Sequence, residues 1–524
     1  MLICVSLFTQ AAQEGTAGKR PNVLLIVADD LGYADLGAYG SDIRTPNIDA
    51  LAGEGMLFTQ FHAAPYCAVT RAMLLSGNNN HVAGMPNQGE GFLSGRIAPL
   101  PRLLRDSGYH TYTAGKWHLG EDLEHGPQTA GFERSYSLAH GAASHYDSVG
   151  FFEGGSVYWE DGVEVEYPVG SYSTELYTDK LIEFIDSNPG DDQPFFVYAA
   201  YTSPHWPLQV PEEYLDLYAG QYDAGYDVLR EQRFESLRQA GIIPELSSLP
   251  PRNDGITPWN DLTAEQQKIE ARKMELYAAM VENLDDNVGR LLDHLKSNNL
   301  YDDTLIVFMS DNGAAGEDFY NSGIFMDYLQ ENYEDSYENM GKPGSWVSYG
   351  PPWAEAGAAP FSRYKSYTRE GGIVAPMIIA GPGVAGRGII DSSYLTVMDL
   401  APTFLNFAET QYPTDGSVRP MLGESMVSLL SGVALSVHDS DYVTTLYHRG
   451  KAYVRKGDWK LVNLDGPFGE SQFELFNLKT DPGETTNLAA AEPEKFAELL
   501  ETWTVQLREL GITLPDEEGT SEPQ

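Results

Sequence analysis

Four short runs along the chain, three of them apolar and one rich in tyrosine and threonine, each end in residues that can carry chemistry. The runs occupy residues 23–28, 109–114, 195–200 and 305–309. Continuous apolar runs of this length are typical of parallel strands that are buried on both faces. The residues that follow them are Asp29 and Asp30, Lys116 and His118, His205, and Asp311 and Asn312. Because the carboxyl ends of parallel strands share one edge of a sheet, we expect these side chains to lie close together.

Helical patterns separate the predicted strands and set the fold class. Stretches at residues 48–55, 174–188 and 264–298 have helical periodicity. Strands that alternate with helices indicate an α/β protein, with a large mixed, mostly parallel sheet flanked by helices. Residues 212–259 and 317–355 are predicted to be insertions at the strand ends, where long loops usually shape substrate access.

The pattern changes after about residue 431. Short strands are predicted at residues 442–447, 452–455 and 459–462, and a closing helix at residues 493–510. We therefore expect a small C-terminal antiparallel sheet plus a helix. The predicted division is an export-signal remnant at 1–19, a catalytic domain at 20–430, a C-terminal α+β subdomain at 431–512 and a disordered tail at 513–524.

The N-terminal residues and the overall hydropathy bear on location. Residues 2–8 are apolar and are followed by small residues, which is typical of an export signal, although a basic region is missing. We therefore predict a periplasmic or secreted protein, with a cytoplasmic one as the alternative. The rest of the chain contains no run of eighteen or more apolar residues, so no membrane span is expected.

The net charge excludes several kinds of partner. The chain has 33 basic and 76 acidic residues, which gives a formal charge of −43. Such an excess of negative charge disfavours binding to nucleic acids and to anionic membranes, because both carry negative charge themselves. High salt screens the internal repulsion, so the acidity favours a salty habitat, with improved solubility as the simpler interpretation.

Cys67 is the one cysteine outside the N-terminal segment, since the only other is Cys4. It therefore has no partner for an intramolecular disulfide or for a multi-cysteine metal site. Arg71 and the helix-like residues 72–75 place Cys67 near a helix N-terminus, which favours an anion such as sulfate or phosphate. A buried free cysteine beside a surface arginine is the alternative interpretation of this segment alone.

Taken in order, these motifs resemble the type I sulfatases of the alkaline phosphatase superfamily, most closely the bacterial arylsulfatase branch. The resemblance runs from about residue 20 to about residue 510. It is carried by residues 21–32, 45–49, 66–71, 115–120, 310–313, 365–372, 457–461 and 480–484. It implies an alkaline phosphatase-like fold and a hydrolase of sulfate esters.

The resemblance also implies cofactors. In that family the motif cysteine is oxidised to formylglycine by a formylglycine-generating enzyme, and Cys67 occupies that position. Its hydrated aldehyde would be the nucleophile, and its second hydroxyl allows sulfate to be released. The positions that match the metal ligands are Asp29, Asp30, Asp311, Asn312 and the converted Cys67. These hard oxygen ligands suit Ca²⁺, with Mg²⁺ as the alternative.

The remaining matches concern substrate binding and proton transfer. Arg71 and Lys116 would neutralise the nucleophile and the sulfate oxygens. His205, together with Lys365, would protonate the leaving alcohol, and His118 would assist the release of sulfate.

Three functions follow from this pattern. The leading hypothesis is a metal-dependent hydrolase of a small aryl or alkyl sulfate ester, since a strongly negative protein repels an anionic polysaccharide. A hydrolase of phosphate or phosphonate esters is the second. The third is a sulfate-ester binder without catalysis, because Val69 stands where the family motif has proline or alanine, and this departure can leave Cys67 unconverted.

Overall fold

Strands and helices alternate along most of the chain. The computed structural model describes residues 19–187, 190–464 and 472–514. The strands are β1 (Asn22–Ala28), β2 (Met56–Phe58), β3 (Phe61–His62), β4 (His110–Lys116), β5 (Arg134–Leu138), β6 (Tyr158–Glu160), β7 (Val163–Val165), β8 (Phe195–Ala200), β9 (Thr304–Ser310), β10 (Met377–Ala380), β11 (Ile389–Asp391), β12 (Leu395–Thr396), β13 (Val443–His448), β14 (Lys451–Lys456), β15 (Trp459–Asn463) and β16 (Glu474–Asn477). The predicted export signal, apart from residue 19, and the tail from residue 515 onward lie outside these ranges.

Fourteen α-helices accompany the strands within the described ranges. They are α1 (Pro46–Glu54), α2 (Cys67–Ser76), α3 (Asn80–Ala83), α4 (Leu100–Asp106), α5 (Pro127–Ala130), α6 (Ser173–Asp186), α7 (Tyr226–Gln239), α8 (Ala264–Ser297), α9 (Met326–Asn332), α10 (Gly350–Gly357), α11 (Glu370–Ile373), α12 (Leu400–Phe407), α13 (Val427–Leu430) and α14 (Pro493–Leu510). None of them is long and apolar enough to cross a bilayer.

A ten-stranded sheet forms the centre of the protein, in the order β11-β2-β10-β9-β1-β8-β4-β5-β6-β7. The five strands from β9 to β5 are parallel, whereas β10 and β6 run antiparallel to their neighbours. All seven residues of β1 are buried. The two faces of β1 pack against different helical layers, Leu24 and Ile26 on the side of α8, and Leu25 and Val27 on the side of α2 and α12. The predicted α/β class is therefore confirmed.

The predicted central elements agree with the observed ones to within one or two residues at most ends, as α1, α6 and α8 illustrate. Helix α8 begins with a capping box between Thr263 and Gln266, which satisfies backbone groups at its N-terminus. The insertion at 212–259 contains helix α7, which the sequence pattern did not indicate. Its buried Arg233 pairs with Asp35 and Asp42 and so fixes the insertion on the sheet domain.

The C-terminal part contains the predicted antiparallel sheet and helix. Strands β13 to β16 pair in sequence order, and α14 covers them through buried residues such as Leu499 and Trp503. A cluster of buried charged side chains joins this sheet to the larger domain. We call it the junction cluster, and its members are His62, Glu370, Arg455, Lys460 and Glu484.

Contacts within the junction cluster are short. Lys460 Nζ lies 2.7 Å from a Glu370 oxygen and 3.0 Å from a Glu484 oxygen. His62 Nε2 lies 2.9 Å from Glu370 and 3.0 Å from Arg455 Nη1. The Glu370 carboxylate is therefore held between the larger domain and the C-terminal sheet.

Candidate active site

The carboxyl ends of four adjacent parallel strands, in the order β9-β1-β8-β4, bring the predicted side chains together. Asp311 and Asn312 follow β9, Asp29 and Asp30 follow β1, and His205 follows β8. Lys116 is the last residue of β4. Cys67 begins α2, and Lys365 comes from the loop between α10 and α11. All these residues are buried, so the site lies inside the protein rather than on its surface.

Asp30 is the centre of the acidic part of the site. One of its oxygens accepts from Asn312 Nδ2 at 2.6 Å, and the other accepts from Lys365 Nζ at 2.8 Å and lies 3.3 Å from His205 Nε2. Its backbone has φ of 66°, which is uncommon for a residue with a side chain. The Oδ1 atom of Asn312 is buried and has no hydrogen-bond partner within the described residues. A buried acceptor without a partner costs free energy unless a ligand satisfies it.

Arg71 bridges several of the strand ends. Its Nε donates to Asp311 at 2.9 Å and its Nη1 donates to the Lys116 carbonyl at 2.9 Å, while Nη2 lies 3.9 Å from Asp29. Nη1 also lies 3.3 Å from the Tyr198 hydroxyl. Burial opposes the charge of Arg71, but the acidic neighbours outweigh burial and raise its pKa. The guanidinium therefore stays charged at the centre of the site.

Asp29 pairs with Lys116, whose Nζ lies 2.7 Å and 3.0 Å from the two carboxylate oxygens. Burial raises the pKa of Asp29 to about 7, Lys116 opposes this effect, and Asp311 and Asp30 reinforce it by repulsion. Negative charge at this carboxylate is thus only partly compensated by the protein's own cations.

Cys67 is the first residue of α2 and is completely buried. Its Sγ lies 4.0 Å from an Asp30 oxygen and 3.7 Å from the side-chain nitrogen of Gln88. Burial raises the pKa of Cys67 to about 12, although Lys116 and Lys365 act in the opposite direction. The unmodified side chain is therefore a neutral thiol at physiological pH, and a neutral thiol is a weak nucleophile.

The two histidines of the site are neutral. Burial, together with nearby cations, lowers the pKa of both His118 and His205 well below the usual value. His205 Nδ1 donates to the Trp206 carbonyl at 2.7 Å, which leaves Nε2 free to accept a proton, 3.4 Å from Lys365 Nζ. His118 has φ of 55° and packs on Gly141, where a Cβ atom would lie 2.6 Å from the ring.

The oxygen donors of the site suit a hard divalent cation, whereas the unmodified Cys67 sulfur and the His205 nitrogen are softer ligands. Ligand atoms of Asp29, Asp30, Cys67 and His205 all lie within 4.8 Å of one another, and the unpartnered Asn312 oxygen belongs to the same site. Carboxylate and amide oxygens suit Ca²⁺ or Mg²⁺. Both oxygens of Asp311 already accept hydrogen bonds, from Arg71 and from the Asp30 backbone. Of the predicted ligands, Asp29, Asp30 and Cys67 thus lie together and Asn312 contacts Asp30, whereas Asp311 is engaged by its neighbours. His205 joins the group although it was predicted only as a proton donor.

Three further residues belong to the site and were not predicted. Gln88 accepts from the Ala68 backbone with its side-chain oxygen at 3.0 Å, at the start of α2. Glu317 lies 3.9 Å from Lys365 Nζ, and Tyr198 contacts Arg71 from inside β8. Gln88 and Glu317 lie in loops without periodicity, and Tyr198 belongs to an apolar run that indicates only a buried strand.

Comparison with known proteins identifies the class. The sulfatase family model matches residues 21–410, and the model of the C-terminal part of N-sulphoglucosamine sulphohydrolase matches residues 363–512. The chain therefore belongs to the sulfatase family, as the motifs predicted, and has the fold of the alkaline phosphatase superfamily. Membership of this family supports the hydrolysis of sulfate esters.

Individual relatives cover most of the chain. An uncharacterised sulfatase of Schizosaccharomyces pombe is 38% identical, over 95% of this chain and 96% of its own length. The arylsulfatase of Klebsiella aerogenes is 37% identical, over 82% of this chain and 96% of its own. The crystal structure of Ps i-CgsB with k-i-k-neocarrahexaose matches with a TM-score of 0.67 and 24% identity, over 96% of this chain and 100% of its own, which supports the fold.

Proposed function

We propose that this protein is a metal-dependent hydrolase of a small aryl or alkyl sulfate ester that acts through a formylglycine made from Cys67. The observation that carries the proposal is the position of residue 67. It begins a helix, its side chain approaches Asp30, and the buried cations Arg71, Lys116 and Lys365 belong to the same cluster. Helix N-termini and buried cations together favour a tetrahedral anion beside this side chain.

Conversion of Cys67 is proposed because the thiol itself is poorly suited to attack. A neutral thiol with its pKa raised to about 12 by burial gives very little thiolate at neutral pH. When formed, the hydrated aldehyde supplies a hydroxyl nucleophile and a second hydroxyl that allows sulfate to leave. A formylglycine-generating enzyme is therefore a proposed partner, and Val69 is the feature of the segment that departs from its expected motif.

The chain's own charged groups would bind and orient the ester. Arg71 is held by Asp311 and Lys116 by Asp29, so both cations are fixed in place without occupying all their donors. Fixed cations stabilise charge that develops on sulfate oxygens without further reorganisation. Lys365, beside the neutral His205, would supply the proton to the leaving alcohol, since the two nitrogens lie 3.4 Å apart. His118 would move a proton during the release of sulfate.

A divalent cation, proposed to be Ca²⁺ with Mg²⁺ as the alternative, would be held by Asp29, Asp30, Asp311, Asn312 and the converted residue 67. When bound it supplies positive charge that neutralises a sulfate oxygen and lowers the pKa of a nearby hydroxyl. Three carboxylates of the site face three cations of the protein, so a divalent ion would leave the site positive toward an anionic substrate.

The size of the substrate and the location of the protein are also part of the proposal. A net charge of −43 repels a polyanionic glycan at long range, whereas the buried cations still attract one small anion. The protein is proposed to be periplasmic or secreted. The predicted bounds at residues 20–430 and 431–512 are proposed as its catalytic domain and C-terminal subdomain.

Two measurements on full-length protein purified from its native host test the proposal. Mass spectrometry of the peptide that contains Cys67 should show an aldehyde in place of the thiol. Turnover of 4-nitrophenyl sulfate should exceed that of 4-nitrophenyl phosphate. A peptide that carries only the thiol, with no turnover of either ester, would favour a sulfate-ester binder. Faster turnover of the phosphate would favour the phosphate or phosphonate hydrolase.

A further inference from the structure

An aromatic side chain lies directly beside the proposed leaving-group end of the site. The ring centroid of Trp206 is 4.1 Å from that of His205, and Lys365 Nζ lies 6.0 Å from the indole ring. Trp206 is 7% exposed, and its Nε1 atom has no hydrogen-bond partner within the described residues. The group that leaves as an alcohol would therefore meet an indole immediately beyond the proposed proton donors.

Trp206 is the inner end of a larger aromatic cluster, which we call the aromatic wall. Its members are Phe151, Trp206, Phe319, Phe325 and Trp346. The rings of Phe151 and Phe319 stand nearly perpendicular to the indole of Trp206, with centroids 5.8 Å and 5.3 Å away. Edge-to-face packing of this kind holds rings in fixed orientations. The five side chains of the wall therefore pack against one another as one continuous aromatic surface.

The aromatic wall reaches from the site to the protein surface. Trp206 and Trp346 are buried, whereas Phe151, Phe319 and Phe325 are partly exposed. Phe325 contacts both Phe151 at 4.8 Å and Phe319 at 5.4 Å. Partly exposed phenylalanines that continue from a buried active site provide apolar area that a ligand can cover.

Charge around the wall disfavours one class of substrate. The two segments that carry its phenylalanines, residues 146–155 and 317–341, contain no lysine or arginine. Their acidic residues include Glu153, Asp318 and Asp327, and Glu317 lies 3.9 Å from Lys365 Nζ. A glycan with repeated sulfates needs cations beside the sulfates that are not cleaved, whereas these two segments carry negative charge.

We infer that the aromatic wall binds the flat aromatic ring of a monosulfated phenol, and that this contact selects aryl sulfates over sulfated glycans. The inference rests on the proposed function, because it uses the same site and assigns the leaving group to the side of His205 and Lys365. A planar aromatic ring adds stacked or edge-to-face contacts to Phe151 and Phe319. The acidic segments beside these rings repel the additional sulfates of a glycan.

Calorimetric binding of two inert anions to the full-length protein tests this inference without requiring turnover. Benzenesulfonate and methanesulfonate share the same charged group, and only the first has a ring. We expect benzenesulfonate to bind wild type about tenfold more tightly than methanesulfonate, and the ratio to fall about fivefold or more in Phe319→Leu and Phe325→Leu. Phe407→Leu is the matched control. Phe407 is partly buried beside Gly383, which follows β10 at the end of that strand that is farther from the site.

The outcomes distinguish ring binding by the aromatic wall from hydrolysis of the sulfate ester. Equal affinity of wild type for the two sulfonates, or a preference that survives in both variants, would overturn the inference even if the protein hydrolyses sulfate esters. A preference for the ring that disappears in Phe319→Leu but persists in Phe407→Leu supports it, even for a preparation whose Cys67 is unconverted. Faster turnover of a sulfated glycan oligomer than of 4-nitrophenyl sulfate would also overturn it.

Discussion

The active site and the junction cluster are both buried groups of charged residues drawn from distant parts of the chain, yet their central carboxylates respond differently. Burial opposes ionisation of Glu370, but Lys460 and His62 outweigh it and hold its pKa below the usual range. At Asp29, burial and two neighbouring aspartates outweigh Lys116, and the pKa rises to about 7. The nearby cations thus outweigh the effect of burial on the pKa at Glu370, but not at Asp29.

This difference separates a structural role from a functional one. Glu370 is fixed by Lys460 and His62, so the C-terminal sheet is held against the larger domain. Near Asp29, the unpartnered Asn312 oxygen is an acceptor that a ligand can satisfy, and Asp30 has a left-handed backbone of the kind that is common at functional sites. Burial of charge alone therefore does not identify a functional site, and the raised pKa of Asp29 together with the unpartnered Asn312 oxygen is the better indication.

The largest effect that we predict is the loss of turnover in Cys67→Ala, by at least about 10⁴-fold in kcat. The thermal unfolding midpoint should stay near that of wild type, because the Sγ atom makes only long contacts with Asp30 and Gln88. Kinetics with 4-nitrophenyl sulfate and calorimetric melting measure the two quantities. Ser76→Ala at the far end of α2 is the control, and comparable turnover in the two variants would contradict the prediction.

Lys460→Met should do the reverse and reduce stability rather than turnover. Removing one partner of a buried ion pair leaves Glu370 and Glu484 uncompensated, at a cost of about 3–5 kcal/mol. Glu370 has a lowered pKa when folded, so it stabilises the protein above its unfolded pKa and loses this effect in acid. Denaturant unfolding at pH 7 measures the change, with the exposed Lys479→Met as control. A large loss of kcat with an unchanged free energy of unfolding would contradict the comparison.

Chelation of divalent cations should lower turnover by about 100-fold or more, since a bound ion contributes several kcal/mol of charge stabilisation. It should also destabilise the protein more at pH 7.5 than at pH 5. Asp29 has a raised folded pKa, so its contribution to metal-free stability is present below the unfolded value, near 3.8, and is lost as the pH rises through about 7. Melting with and without added Ca²⁺ at the two pH values checks this, and equal shifts would argue against a cation beside Asp29.

Gln88→Ala should have the smallest effect, because Gln88 only supports the site. Its side chain accepts from the Ala68 backbone, and its own backbone donates to His448 Nε2 at 2.9 Å, which connects the site to the C-terminal sheet. We expect about threefold to tenfold lower kcat and about 1 kcal/mol lower stability. Gln128→Ala on α5 is the control. A lower kcat with unchanged stability would assign Gln88 to the active site alone, and lower stability with unchanged kcat would assign it to the contact with the C-terminal sheet alone.

The central parallel strands and the residues that follow them could be predicted from the sequence, because an apolar run that ends in Asp29 or Asp311 has a local signature. The junction cluster could not. The pairing of Glu370 with Lys460 depends on how the C-terminal sheet packs against the larger domain, and no local pattern records that arrangement. The same limit applies to Gln88 and to Trp206, whose importance comes from neighbours that are remote in the sequence.

The position of the site has a practical consequence for handling the protein. The reactive edge belongs to the middle strands of the sheet, whereas the hairpin of β6 and β7 forms one margin, with β7 five positions from β1. The turn of that hairpin, at Asp161 and Gly162, has positive φ, and Val163 just beyond it is 63% exposed. An affinity tag or a surface tether placed in this turn would lie far from the active site, so the hairpin is a suitable attachment point for immobilising the enzyme.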